Sequence, residues 1–145
     1  MEKSPRVRSL YISNMRNCVY SDLDWEMKNP DGLVYDMDAI RQSVETILNT
    51  EVGERFFNPE FGSNFRKLLF ESMDDITAKM IRGAVLSALG RWEPRIRIET
   101  SYVKPLYDDN KYEVFIHGDV VGLEEQRFGY RGYLVQGTRG PLVRA

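Results

Sequence analysis

The stretch MIRGAVLSALGRWEPRIRIETSYV, residues 80–103, changes its hydrophobic period in the middle, and that change sets the fold class. Up to Trp92 the apolar residues Met80, Ile81, Ala84, Val85, Ala88 and Leu89 recur at three- and four-residue intervals, which puts them on one wide helical face. From Arg95 the spacing becomes two: Ile96, Ile98, Thr100 and Tyr102 point one way, and Arg95, Arg97, Glu99 and Ser101 the other. Between the two regimes stands Glu93-Pro94-Arg95. Pro94 disfavours helical geometry at Glu93 and has no N–H to donate, so the helix should stop near Trp92 and the chain leave extended. In an extended chain residues i and i+2 project to the same side. Glu93 and Arg95 are therefore displayed together, to pair with each other or to grip a partner jointly.

Upstream, the helix of residue 80 begins with two aspartates, Asp74 and Asp75, which the helix dipole favours in a first turn. A shorter helix is expected over Asn64–Phe70, with Phe65, Leu68 and Leu69 turned inward. Before it, GERFFNPEFGS at 53–63 is dense in Gly, Pro, Asn and aromatics, which reads as an ordered irregular loop. Residues 36–50 form a further amphipathic helix, with Met37, Ile40, Val44, Ile47 and Leu48 on one face and Asp36 or Asp38 as cap. Residues 1–35 lack a sustained period and read as an extended arm, in which Leu23 and Trp25 form a docking segment and Lys3, Arg6, Arg8 and Arg16 a solvated basic front.

Downstream, YDDNK at 107–111 is a hairpin signal. The returning strand, Tyr112–Val121, alternates Tyr112, Val114 and Ile116 with Glu113, Phe115 and His117, and a third run over 126–135 alternates Phe128 and Tyr130 with Arg127, Gly129 and Arg131. Helices followed by a three-stranded antiparallel meander give an α+β domain over 36–135, with about three helices packed on one face of a small sheet. The Gly- and Pro-punctuated 136–145 reads as a tail, free in the monomer.

The totals exclude several classes of function. The chain has 145 residues and a formal net charge of -2, so no global field drives it onto nucleic acid or an anionic membrane. Cys18 is the one cysteine and His117 the one histidine, which removes an intrachain disulfide and a His/Cys zinc site and points to a reducing compartment. No window approaches the ~20 apolar residues of a membrane span, and a soluble cytoplasmic protein is expected. Phosphate-cradling glycine motifs, a GxSxG elbow and HExxH are all missing from the sequence. Glycoside hydrolysis asks only for two carboxyl groups, one with a raised pKa, and Glu54, Glu60, Glu71 and Glu93 are the candidates. The aromatic and basic side chains of the third run alternate between faces, where a single-stranded nucleic acid would need them on one.

ILNTEVGERFFNPEFGS, LLFES and WEPRIRI, in this order, resemble the lysozyme-like baseplate wedge family of contractile phage tails, which has relatives in type VI secretion baseplates. The matched region runs from about Leu23 to Val121. The family's Glu-Pro-Arg triplet is Glu93, Pro94 and Arg95 here, and its second block is Gly53, Glu54 and Arg55 followed by Pro59, Glu60, Phe61 and Gly62. The resemblance implies partner binding through these ten residues, no cofactor, and a sheath initiator whose fold is similar to the inner domain of the sheath subunit. Its implied partners are a helical core bundle of other wedge proteins and the tail sheath subunits, with the tail tube or hub nearby and about six copies per baseplate. The implied location is the virion, after assembly in the host cytoplasm, and neither nucleic acid nor membrane is a partner. The lysozyme-like reading, a peptidoglycan-cleaving glycosidase, is the alternative. Arginines at or next to the neighbouring positions of Glu54 and Glu93 oppose it, because a nearby cation lowers a carboxyl pKa that catalysis needs raised.

Overall fold

The computed structural model describes residues 18–123, 126–138 and 143–144. The basic front of the arm and residues 139–142 of the tail lie outside these. The chain divides into two compact units, one through Ile40 and one from Arg41 onward.

In the first unit the expected arm contains a hairpin. Strands β1 (Ser21–Leu23) and β2 (Leu33–Tyr35) pair antiparallel, with Ser21 opposite Tyr35. The connecting loop is organised by Asp24, 6% exposed, whose two carboxylate oxygens accept the Glu26 and Asn29 amides at 3.1 and 2.7 Å. Local side-chain acceptors of this kind stabilise a turn without a hydrophobic period, which is why the segment reads as unstructured in sequence. Leu23 and Trp25 are largely exposed. Asp36, at φ 46°, starts helix α1 (Asp36–Asn49), and its Oδ1 accepts the Val19 and Tyr20 amides at 2.8 and 3.0 Å.

In the second unit, Val44, Ile47 and Leu48 of α1 are buried in the expected pattern. The helix expected from Asn64 is instead a 3-10 turn, Arg66–Phe70, so the described residues hold two α-helices where about three were expected. Its backbone bonds, Leu68 N–H to Phe65 O and Glu71 N–H to Leu68 O, are the tight three-residue kind, and extended geometry at Glu71 ends it. Burial of Phe65 and Leu69 needs only this one turn. Helix α2 (Asp75–Trp92) is capped by Asp74, which accepts the Thr77 amide at 2.7 Å. That bond holds the Asp74 carboxyl below its ordinary pKa.

Strands β3 (Ile96–Leu106), β4 (Lys111–Val120), β5 (Arg127–Val135) and β6 (Val143–Arg144) form one antiparallel sheet in that order, and α2 packs against β3. The core beneath it takes Ile81, Val85 and Leu89 from α2 and Tyr112, Val114, Ile116, Phe128, Tyr130 and Leu134 from the sheet. Burial pushes the Tyr112 phenol above its ordinary pKa.

Two sequence expectations change here. The register of β3 on β4 slips between Ile98 and Thr100, a bulge that lets the backbone of Arg97 and Ile98 close on Gly118, where a Cβ would stand 2.1 Å from Arg97 O. Beyond the bulge the alternation reverses. Ile96 is buried, whereas Tyr102 stacks on Phe115 at 4.9 Å with part of its surface exposed, so the two do not share a face. The tail is the second change: β6 pairs with Gly132 and Tyr133 of β5, so part of it is a fourth strand of its own chain's sheet.

Candidate docking surface

The segment 51–63 leaves and returns to one point. Ser63 donates to Thr50 O at 2.9 Å, and Val52 to Ser63 O at 3.3 Å. Inside this closed neck, Gly53 donates to Pro59 O at 2.7 Å, and the Glu54 carboxylate accepts the Glu51 amide at 2.9 Å while Glu54 N–H returns a bond to Glu51 O. Two glycines make the path possible. Gly53 sits at φ +93° and Gly62 at φ +113°, conformations that L side chains rarely adopt, and a Cβ on Gly62 would lie 2.3 Å from Thr50 O. The loop is thus ordered by its own backbone, as its composition suggests.

Its far limb folds onto the end of α2. The Arg55 guanidinium lies 4.0 Å from the Phe61 ring centroid, and Phe61 meets Trp92 at 5.2 Å with the rings tilted by 56°. Glu60 forms an ion pair with Arg91, whose guanidinium lies 4.9 Å from the Trp92 ring. The Gly53–Gly62 block is therefore joined to the last turn of α2, immediately before the triplet: Arg55, Phe61, Trp92 and Arg91 form a run of rings and guanidinium groups, with Glu60 paired to Arg91. Beside it lies an open groove of 520 Å³ lined in part by Gly62, Ser63, Ala84, Ala88 and Trp92.

The triplet itself turns inward. Glu93, with its side chain 1% exposed, ends α2 by donating its N–H to Leu89 O at 2.8 Å, and its two carboxylate oxygens accept Nε and Nη2 of Arg95 at 2.6 and 2.7 Å. Arg95 keeps a quarter of its side chain exposed and Pro94 is exposed. Among the ten motif residues, then, Glu93 and Gly62 are buried, Arg95 and Phe61 are half-buried, and Gly53, Glu54, Arg55, Pro59, Glu60 and Pro94 are exposed. The surface this region offers is theirs together with two residues that motif reasoning passes over: Phe56 and Phe57, 98% and 105% exposed at the loop's tip. Their adjacency in a loop with no helical or strand period was the available signal. Arg91 and Trp92 were also missed as functional neighbours, because a helix's last turn reads as architecture.

Among the described residues there is no group of three or more His, Cys, Asp or Glu side chains that could hold a metal ion, and no helix is long and apolar enough to cross a membrane. A glycosidase acid must reach the glycosidic oxygen. Glu93 is shielded from solvent, with both oxygens engaged by one guanidinium, and Glu54 caps its own loop.

Residues 35–122 match the family model of baseplate wedge protein gp25. The chain is 38% identical over 109 residues to baseplate wedge protein gp25 of Enterobacteria phage T4, covering 72% of this chain and 83% of that protein. Among solved structures, a Geobacter sulfurreducens protein provisionally assigned as a tail lysozyme aligns over 71% of this chain and 93% of its own, with 26% identity and a TM-score of 0.64. A chain of the post-contraction baseplate of pyocin R2 aligns over 70% of this chain and 98% of its own, with 27% identity and a TM-score of 0.58.

Proposed function

The chain belongs to the family of baseplate wedge protein gp25, and from that membership we propose that it is a structural wedge component of a contractile phage tail that joins the wedge to the sheath and seeds the first sheath ring. The observation that carries this reading is the packing of the Gly53–Gly62 block on the last turn of α2, next to the triplet, with Phe56 and Phe57 exposed on the same loop. A pair of wholly exposed phenylalanines on a loop braced by cation–π and ion-pair contacts is costly in water and suits insertion into an apolar site of another wedge protein. On this reading Pro94 and the exposed part of Arg95 meet the wedge's core bundle beside it, and Glu93 serves by holding Arg95 in place.

Sheath subunits join through the sheet, by main-chain pairing with an extended segment. Open strand edges supply such pairing without needing an apolar patch. The likeness to a provisionally assigned tail lysozyme brings the muralytic alternative into the comparison, and the closed Glu93–Arg95 pair opposes it.

Reconstitution tests the adaptor reading directly. Baseplates assembled with Phe56→Ser/Phe57→Ser protein should lack this subunit while the purified variant remains folded; wild-type levels of incorporation would overturn the reading. Purified wild-type protein should leave peptidoglycan uncleared, and clearing that disappears with Glu93→Gln would establish the alternative.

A further inference from the structure

The sheet packs one face on the core, and the residues of its opposite face all keep part of their surface exposed among the described residues. Register and burial define that outer face. On β4 it carries Glu113, Phe115, His117 and Asp119, the half-buried positions that alternate with core residues. Tyr102 and Arg131 lie opposite Phe115, Thr100 and Gly129 opposite His117, and Arg97 and Arg127 opposite Asp119. The sign of this face is the reverse of the chain's. Arg97, Lys104, Arg127 and Arg131, joined by Lys111 over the Tyr133 ring at 5.8 Å, outnumber Glu99, Glu113 and Asp119, although the whole protein has a net charge of -2.

The rings at its centre stand on edge. Tyr102 and Phe115 stack across two strands with 4.9 Å between centroids and 18° between planes, closer than rings lying flat side by side could come. The Arg131 guanidinium lies over Phe115 at 5.6 Å, and His117 is parallel to Phe115 within 4° along the strand. Both faces of Phe115 are thus taken, one by a ring and one by a cation, and its outward edge is the positive rim of the ring quadrupole. A nucleobase binds by stacking on a free ring face, and Phe115 has none to give. A carboxylate suits positive edges set among cations.

There is also room for one. Gly129 leaves a notch between Arg127 and Arg131, beside His117, where a Cβ would meet nothing within 4 Å. Two residues along a strand span about 6.6 Å, so both guanidinium groups can reach over it. The chain's own acids hold these cations loosely: Glu99 comes no nearer than 3.8 Å to Arg127 and 3.9 Å to His117, beyond hydrogen-bond length, and Glu113 meets Arg131 at 3.4 Å. We infer that this face is a second docking surface, separate from Phe56 and Phe57, for an acidic segment of a neighbouring protein. One Asp or Glu side chain of that segment enters the notch over Gly129 and takes Arg127 and Arg131 from Glu99 and Glu113, in forked contacts that the internal pairs do not make.

A labelled peptide of alternating glutamate and alanine, titrated with the purified full chain and followed by fluorescence anisotropy, tests this. It should bind, with amide shifts in NMR spectra at Phe115, His117 and Gly129, and its lysine–alanine counterpart should not. Arg127→Gln/Arg131→Gln should weaken binding about tenfold, the worth of two exposed ion pairs. Both arginine side chains are more than half exposed, so the fold is retained. Gly129→Val, which fills the notch, should weaken binding as well. Glu99→Gln removes the internal competitor and should tighten it, whereas Glu71→Gln, the same charge change between the 3-10 turn and α2, should not. Phe56→Ser/Phe57→Ser should bind the peptide as wild type does, which keeps this surface distinct from the one proposed above. Absence of peptide binding, equal binding by all the variants, or shifts confined to other residues would overturn the surface. Preference for a labelled oligothymidylate over the glutamate peptide would overturn the acidic partner and assign the face to nucleic acid.

Discussion

Arg95 reaches back across Pro94 and closes a two-point bond on Glu93, Nε to Oε1 at 2.6 Å and Nη2 to Oε2 at 2.7 Å, with the carboxylate almost wholly out of solvent. The proline fixes the backbone between them, and the forked guanidinium meets both carboxylate oxygens. The corner joins the end of α2 to the start of β3, so the pair pins helix to sheet.

Removing the arginine strands a buried negative charge. Arg95→Ala should lower stability by about 2–4 kcal/mol, below the upper range for broken buried pairs because Arg95 is a quarter exposed. Arg95→Lys should restore little, since an ammonium cannot make the forked contact. Urea denaturation of the three proteins measures this, and equal midpoints would show that the pair is not structural.

Two glycines in the docking loop should respond differently to the same change. Gly53→Ala meets open space and incurs only left-handed strain, about 1 kcal/mol. Gly62→Ala adds a clash with Thr50 O at the loop's neck and should cost on the order of 2–4 kcal/mol. The ranking is read from denaturant midpoints, and an equal response would mean that the neck can open without loss.

How far the sequence was legible follows from what kind of signal each part leaves. Helices α1 and α2 and strands β4 and β5 bury one face each, so their residues recur with the period of the element, and all four lie close to where periodicity put them. The 3-10 turn at Arg66–Phe70 carries the same apolar spacing as a short helix, and spacing alone does not separate the two. The bulge in β3 lies where its backbone closes on Gly118 of the facing strand, a cross-strand relation that no local pattern contains. The same holds for the site. Glu93 and Arg95 are two residues apart and their pairing was one of two readings open from sequence, while the stack of Phe61 on Trp92 joins positions far apart in the chain and needed coordinates.

The stack should matter for presentation more than for the fold. Trp92→Ala removes the ring that Phe61 leans on and exposes the last turn of α2. A loss of about 1–3 kcal/mol is expected, together with faster amide exchange at Gly53 and Phe61, whose N–H groups bond within the loop. Unchanged exchange at those two amides would show that the loop's own hydrogen bonds hold it without the helix.

Acid should act on the start of α2. Asp74 has a folded pKa below its ordinary value because its carboxylate accepts the Thr77 amide, so the unfolded chain binds a proton at this group before the folded one does. The stability it contributes is complete above the ordinary carboxylate pKa and is lost as pH falls through the lower, folded value. Asp74→Asn keeps a cap acceptor but removes the titration. Below the folded pKa the two proteins should therefore converge in thermal midpoint, with wild type the more stable at neutral pH, where the charge also favours the helix N-terminus. A wild-type advantage that persists unchanged to low pH would assign the effect to some other property of the aspartate.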